Sequence, residues 1–198
     1  MEALDMRTFT DKEVLERVSR LSMFTGFPSG PMDVWIRSKA DKFDVFDDKA
    51  LTYECHGPAK TPKFIMGREG TTNAGSYYLV DHLANPLGCA VLKSDVIVYD
   101  SHKFGYHHQK RSNPAYVQAK GFPYFRDANR NHRAEEIGPE YHDVIGANIH
   151  HAGVNSTYIR NWSAGCLVTA NLSKFQAFLL YMKAQGKSLL TVCILKEW

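Results

Sequence analysis

Apolar residues recur at helical spacing near the start of the chain, then give way to short runs of β-formers. Thr10 and Glu13 form a capping box. Val14, Leu15, Val18 and Leu21, with Met23 or Phe24, mark one face of a helix predicted over 8–24. Gly26, Pro28, Gly30 and Pro31 stop it. From Val34 onward the predicted strands are 34–36, 42–46, 50–54, 76–80, 89–92 and 96–99, with Asp47-Asp48-Lys49 as a hairpin turn. Residues 101–135 lose the alternation and read as a polar loop insertion. Asn171 caps a second amphipathic helix over 171–185, with Leu172, Phe175, Leu179 and Met182 as its apolar stripe and Gly186 as its stop. A closing strand is predicted over 188–195. Several strands without interleaved helices predict a mainly β sandwich or barrel, with an N-terminal helix and a C-terminal helix packed on the sheet. Residues 1–30 form a helical extension and 31–198 the main domain.

The composition is that of a globular chain: 198 residues, 44% hydrophobic, 23% charged, net charge +3. Such mild basicity indicates no nucleic acid and permits an anionic polymer as partner. Lys103, Lys110, Arg111, Lys120, Arg126, Arg130 and Arg133 make the 101–135 insertion locally basic. No run approaches the ~18 apolar residues of a membrane span. The opening Met1-Glu2-Ala3-Leu4-Asp5 has neither a basic nor an apolar signal region, so the chain is expected to be made in the cytoplasm without a signal peptide.

Candidate chemistry concentrates late in the chain. Of the cysteines at 55, 89, 166 and 193, none forms a Cys-x-x-Cys pair, and Cys193 lies in an apolar run. Only Cys166 stands in a small-residue turn, Trp162-Ser163-Ala164-Gly165-Cys166, with Ile149-His150-His151 upstream. A thiol is mostly protonated near neutral pH, so a nucleophilic cysteine needs a base, and His150 is the nearest good one. Gly165 and Ala164 permit a sharp turn whose amides, with that of Cys166, could converge as an oxyanion hole. The Ser163 hydroxyl is placed to orient the loop or the substrate. His102, His107 and His108 raise a metal reading of the insertion. Asp127-Ala128-Asn129-Arg130-Asn131 raises a calcium reading, but His132 and Gly138 stand where an EF-hand loop needs Gly and Glu. A polar loop flanking the substrate is preferred to either, so no metal site and no cofactor is assigned.

Ser163-Ala164-Gly165-Cys166 resembles the Ser-x-Gly-Cys signature of the L,D-transpeptidase catalytic domain. His150 precedes Cys166 by 166−150=16 positions, similar to that family's base, and Ala147-Asn148-Ile149-His150 fits its lead-in. Thr72-Asn73-Ala74-Gly75-Ser76-Tyr77-Tyr78 is similar to an upstream turn of the family, with Asn73 where proline is usual. Family members usually continue Gly-Cys-hydrophobic-Arg, whereas this chain reads Gly165-Cys166-Leu167-Val168, which leaves Arg160 as a substitute anchor for a substrate carboxylate. The resemblance implies an L,D-transpeptidase-like β-sandwich or barrel over 31–198. It implies Cys166 as nucleophile, His150 as base in preference to His151, and Ser163 and Gly165 in the catalytic turn. His151, Ala164, Arg160, Tyr78 and Trp162 are then expected around the substrate.

The implied activity is cysteine acyl transfer on peptidoglycan stem peptides, by L,D-transpeptidation or L,D-carboxy- or endopeptidase hydrolysis. Anionic wall polymers are an additional partner, and the protein is expected to reach the wall after release or export, as a phage-type lysin does. Two rival classes stand beside this one. A zinc peptidase would need a His/Asp ligand block, and the chain has no Ser-x-His-x-x-Gly-x-Ala-x-Asp. A wall-binding or virion structural protein that retains the fold would have no use for the His150/Cys166 pair.

Overall fold

The computed structural model describes residues 8–154 and 156–198. The opening pentapeptide weighed above as a targeting signal lies outside the described residues. In chain order the elements are α1 (Asp11–Ser19), β1 (Pro31–Arg37), β2 (Asp48–Glu54), β3 (Lys63–Thr71), β4 (Cys89–Leu92), β5 (Val96–Tyr106), β6 (Pro114–Gln118), β7 (Phe122–Asp127), β8 (Tyr141–Asp143), β9 (Ile149–His151), β10 (Leu167–Thr169), α2 (Leu172–Ala184) and β11 (Leu189–Lys196). Eight strands close a barrel in the order β1-β11-β5-β6-β9-β10-β3-β2, and β4-β7-β8 form a small second sheet. The fold is mainly β with flanking helices, as the short-strand pattern predicts.

Every residue of β1 is buried, because both of its faces are covered. Met32, Val34 and Ile36 pack with Val14, Leu15 and Val18 of α1, joined by Ile97, Cys193 and Leu195. On the other face Trp35 belongs to the largest core cluster, with Phe175, Phe178 and Met182 of α2, Tyr116, Leu190, Val192 and Ile194. α1 begins at the expected capping box, with Thr10 Oγ1 accepting from Glu13 N, and Asn171 Oδ1 caps α2 by accepting from Lys174 N at 3.1 Å. The helix predicted over 8–24 is shorter, ending at Ser19. The buried stripe of α2 runs through Phe178, with Leu179 only partly buried beside it.

Four expectations are corrected. The 101–135 segment is no loop insertion: it holds the outer half of β5, all of β6 and β7, and only then a loop. The outer half of β5 and β6 pair within the barrel, whereas β7 pairs with β4 and β8 of the second sheet, so the segment's alternation is set by these ladders rather than by a polar-out, apolar-in rhythm. Residues 42–46 form turns, with only an isolated bridge from Val45 to Tyr158. Asp48 and Lys49 lie inside β2, so they are not a hairpin turn; the Asp48 carboxylate is buried and accepts from Ser38 N and from Thr72 N and Oγ1. Residues 77–81 form a π-helical turn in place of a strand: Gly75 O accepts from Tyr78 N and Leu79 N to start the turn, and Tyr77 O accepts from His82 N at 2.7 Å, five residues on, to close it.

The site depends most on one pairing. β9 and β10 are adjacent and parallel, with Val168 opposite His150 and Thr169 opposite His151. Parallel neighbours need a long crossover, and here it is the 152–166 segment that carries the cysteine turn. This is why a separation of sixteen residues in sequence becomes proximity in space.

Candidate active site

Cys166 sits at the mouth of β10, where Leu167 N donates to Asn148 O at 3.0 Å and holds the crossover's end against the residue before β9. Ligand-bearing atoms of Cys166, His150 and His107 all lie within 4.8 Å of one another. Successive residues of a strand point to opposite faces, so β9 sends His150 to the thiol and His151 away. His151 instead accepts from Gly153 N through Nδ1 at 2.9 Å and tilts against Phe175.

His150 is 5% exposed. Its Nδ1 lies 3.0 Å from His151 O, so Nδ1 carries the proton and Nε2 is a bare acceptor; that Nε2 is buried and has no hydrogen-bond partner. The Cys166 thiol donates to Gly146 O at 3.6 Å. Burial lowers the His150 imidazole to about 3, with the neighbouring His107 adding to the effect. Burial raises the Cys166 thiol to about 11, against the opposing pull of the Asn148 backbone N–H. Both groups are therefore neutral at pH 7, rather than a thiolate–imidazolium pair.

The turn before Cys166 is built by its own side chains. Ser163 Oγ donates to Cys166 O at 2.9 Å and accepts from Gly165 N at 3.1 Å. The hydroxyl thus orients the loop, and the Gly165 amide, expected among oxyanion donors, is already engaged. Gly165 has φ +121°, and a Cβ there would stand 2.7 Å from Ala90 O in β4. Ser163 O accepts from Gly75 N at 2.9 Å, which ties the upstream 72–78 turn to the cysteine turn. Asp44 locks both segments: its Oδ1 accepts from Ser76 N at 2.8 Å and from Arg160 N at 2.6 Å.

A cleft of about 850 Å³ opens over the thiol. Tyr78, Trp162, Ala164, Gly165 and Cys166 line it, as do Gly146 and Asn148. Arg160 does not line it: it has φ +47°, is exposed, and lays its guanidinium 5.5 Å from the Tyr158 ring centre. The cations in the cleft wall are Arg111 and Arg126, from the segment read as an insertion. Among the described residues no aspartate or glutamate lines it.

His107 is the participant that sequence reasoning missed as part of the site. It follows β5 in a short 3-10 turn, stacks on His150 with ring centres 4.1 Å apart, and sets Nδ1 3.1 Å from Asn148 Nδ2. Asn148 is itself fixed, since its Oδ1 accepts from Gln118 N at 3.0 Å. No local motif flags His107; only the β5-β6-β9 ladder brings it across. His102, within β5 itself, is fully buried between Ser101 Oγ and Ala147 O and serves the core.

Fold and site together define a closed β-barrel that carries a buried thiol beside two imidazoles on a cationic cleft. No family model and no curated protein matches the chain. Among solved structures it is similar to the helical cell shape determining protein Pgp2 from Campylobacter jejuni, with 12% identity and a TM-score of 0.36 over 96% of this chain and 56% of that one. A point mutant of Pgp2 matches at 12% identity and a TM-score of 0.37, with 55% of its chain covered. The chain thus spans about half the length of the structures it matches. Similarity this low defines neither a shared fold nor a shared activity.

Proposed function

We propose that the protein is a cysteine acyl-transfer enzyme of L,D-transpeptidase type that acts on peptidoglycan stem peptides. The observation that carries this reading is that His150 keeps a bare, buried Nε2 and sets a ring nitrogen within 4.8 Å of the sulfur of Cys166, a residue that lines the cleft. Buried polar atoms are rarely left unpartnered, and an unpartnered base beside a thiol is poised to take its proton.

In the proposed reaction Sγ attacks the carbonyl on the L-centre of the stem's diamino acid while His150 Nε2 takes the thiol proton. The tetrahedral intermediate collapses to a thioester as His150 returns that proton to the departing D-amino acid. An acceptor amine from a second stem, or water, then releases the acyl group, giving a cross-link or a trimmed stem. Arg111 and Arg126 in the cleft wall suit a substrate that bears several carboxylates. The wall polymer lies outside the membrane, so the protein would meet it after release or export.

Mass spectrometry of defined tetrapeptide and pentapeptide stems incubated with the protein tests this, with Cys166→Ala alongside. Loss of a terminal D-residue, or an acyl adduct on Cys166 absent from the variant, is the expected result. Stems left intact by the wild type, with no adduct, would sink the enzyme reading and leave a wall-binding role.

A further inference from the structure

We propose that His107, His150 and Cys166 form a binding site for one divalent cation of the zinc type, with its fourth coordination position open to the cleft. Two imidazoles and a thiol are a borderline-soft donor set suited to such an ion, and the oxygen-loving cations have nothing here to prefer. One donor atom of each residue lies within 4.8 Å of the others. Bonds of ~2.0–2.3 Å set tetrahedral ligands ~3.5 Å apart, so the trio closes on an ion with side-chain movements of about 1 Å.

The second observation is independent of this clustering. His150 Nε2 is buried without a partner while Nδ1 faces the carbonyl of His151 at 3.0 Å. That is how metal-binding histidines are held: the far nitrogen donates to a carbonyl, which fixes the tautomer and leaves the near lone pair for the ion. Capture costs His107 its 3.1 Å contact with Asn148 Nδ2, whichever ring nitrogen takes the ion.

Cys166 binds as thiolate. The Sγ–H bond breaks, its proton leaves to solvent, the sulfur lone pair forms the metal–sulfur bond, and no electron changes owner. With no carboxylate among the described residues lining the cleft, a metal-bound water would find no such base there. The ion therefore occupies the sulfur instead of employing it, and the metal-loaded protein is a silenced form. The silencing rests on the acyl-transfer reading; the binding does not.

The test is titration of the metal-free full chain with Co²⁺ and with Zn²⁺. One equivalent should bind, with Co²⁺ giving a near-ultraviolet thiolate charge-transfer band. Cys166→Ser should abolish the band. His107→Ala, folded by circular dichroism, should weaken binding at least about tenfold, whereas His108→Ala, which touches the trio from outside, should not. On the unaltered protein, Zn²⁺ should shield Cys166 from alkylation and a chelator should restore it. A wild type without the band, a band that survives Cys166→Ser, undiminished affinity in His107→Ala, or unshielded Cys166 would each overturn the site. Stem turnover is read in neither measurement, so a protein that binds the ion yet, when metal-free, leaves stems intact refutes the acyl-transfer reading alone.

Discussion

At the residue scale the decisive fact is that burial keeps both Cys166 and His150 uncharged. The thiol is pushed up to about 11 and the imidazole down to about 3, each chiefly by burial. In the proposed reaction, proton transfer from Sγ to Nε2 would then accompany attack on the substrate, because the resting pair holds no thiolate to attack with. The sign for pH follows. A thiol with a raised pKa is protonated below it, so its thiolate fraction climbs about tenfold per pH unit on the way up. Iodoacetamide labelling of Cys166, followed by peptide mass spectrometry, is expected to accelerate by that factor from mildly acidic to strongly alkaline pH without levelling. A rate that plateaus from acid onward would mean an ion pair and would contradict the burial argument.

At the element scale the cysteine turn is held by contacts that lie outside the reaction. Gly165→Ala would place a methyl 2.7 Å from Ala90 O in a backbone conformation with φ +121°, so a loss of ~1–3 kcal/mol in stability is expected, together with loss of turnover. Ser163→Ala removes the donor to Cys166 O and the acceptor for Gly165 N, both buried. It should cost ~1–3 kcal/mol and loosen the turn while leaving thiol and base in place. Urea unfolding beside stem turnover separates the two: a Ser163→Ala protein of full stability would show that the hydroxyl does not hold the loop. Much of this element was legible beforehand, because a cysteine and a histidine sixteen residues apart sit at the two ends of one parallel β9–β10 crossover. The helices were legible for the same reason of locality, Thr10 and Asn171 capping them as their spacing required. β3 was not: Gly67 and Gly70 interrupt its β-pattern, and a Cβ at Gly70 would run into the Val168 carbonyl oxygen of β10 and stand 2.8 Å from Trp35 Cζ3. The 77–81 turn carries Tyr, Leu and Val, whose strand preference yields to the backbone tie at Gly75. His107 and Arg111 reach the site through the barrel ladders and Arg126 through the second sheet's pairing of β7 with β4, long-range contacts that no window of sequence contains.

At the scale of the whole molecule, closure is fastened by a polar group inside the core. Arg68 of β3 and Asp33 of β1 form an ion pair at 2.5 Å with both side chains fully buried. Trp35 Nε1 and Thr52 Oγ1 also donate to Asp33, at 2.8 and 2.7 Å, and Arg68 reaches Thr169 Oγ1 of β10 at 3.2 Å. The Arg68 guanidinium stacks 4.0 Å from the Phe178 ring centre. One cluster thus joins β1, β2, β3, β10 and α2, and β10 carries Cys166 at its mouth. Such a pair is worth little against an apolar replacement of equal volume, yet removal of one partner strands a charge. Asp33→Leu is therefore expected to lose ~3–5 kcal/mol in urea unfolding, and adding Arg68→Met should recover a large part of it. If the pair serves only stability, the double variant should also recover stem turnover in proportion. If the cluster sets the β3–β10 register that places the cysteine, the double variant should be stable and poorly active. Equal losses in Asp33→Leu and in the double variant would show that neither charge is stranded and that the network does not hold the barrel.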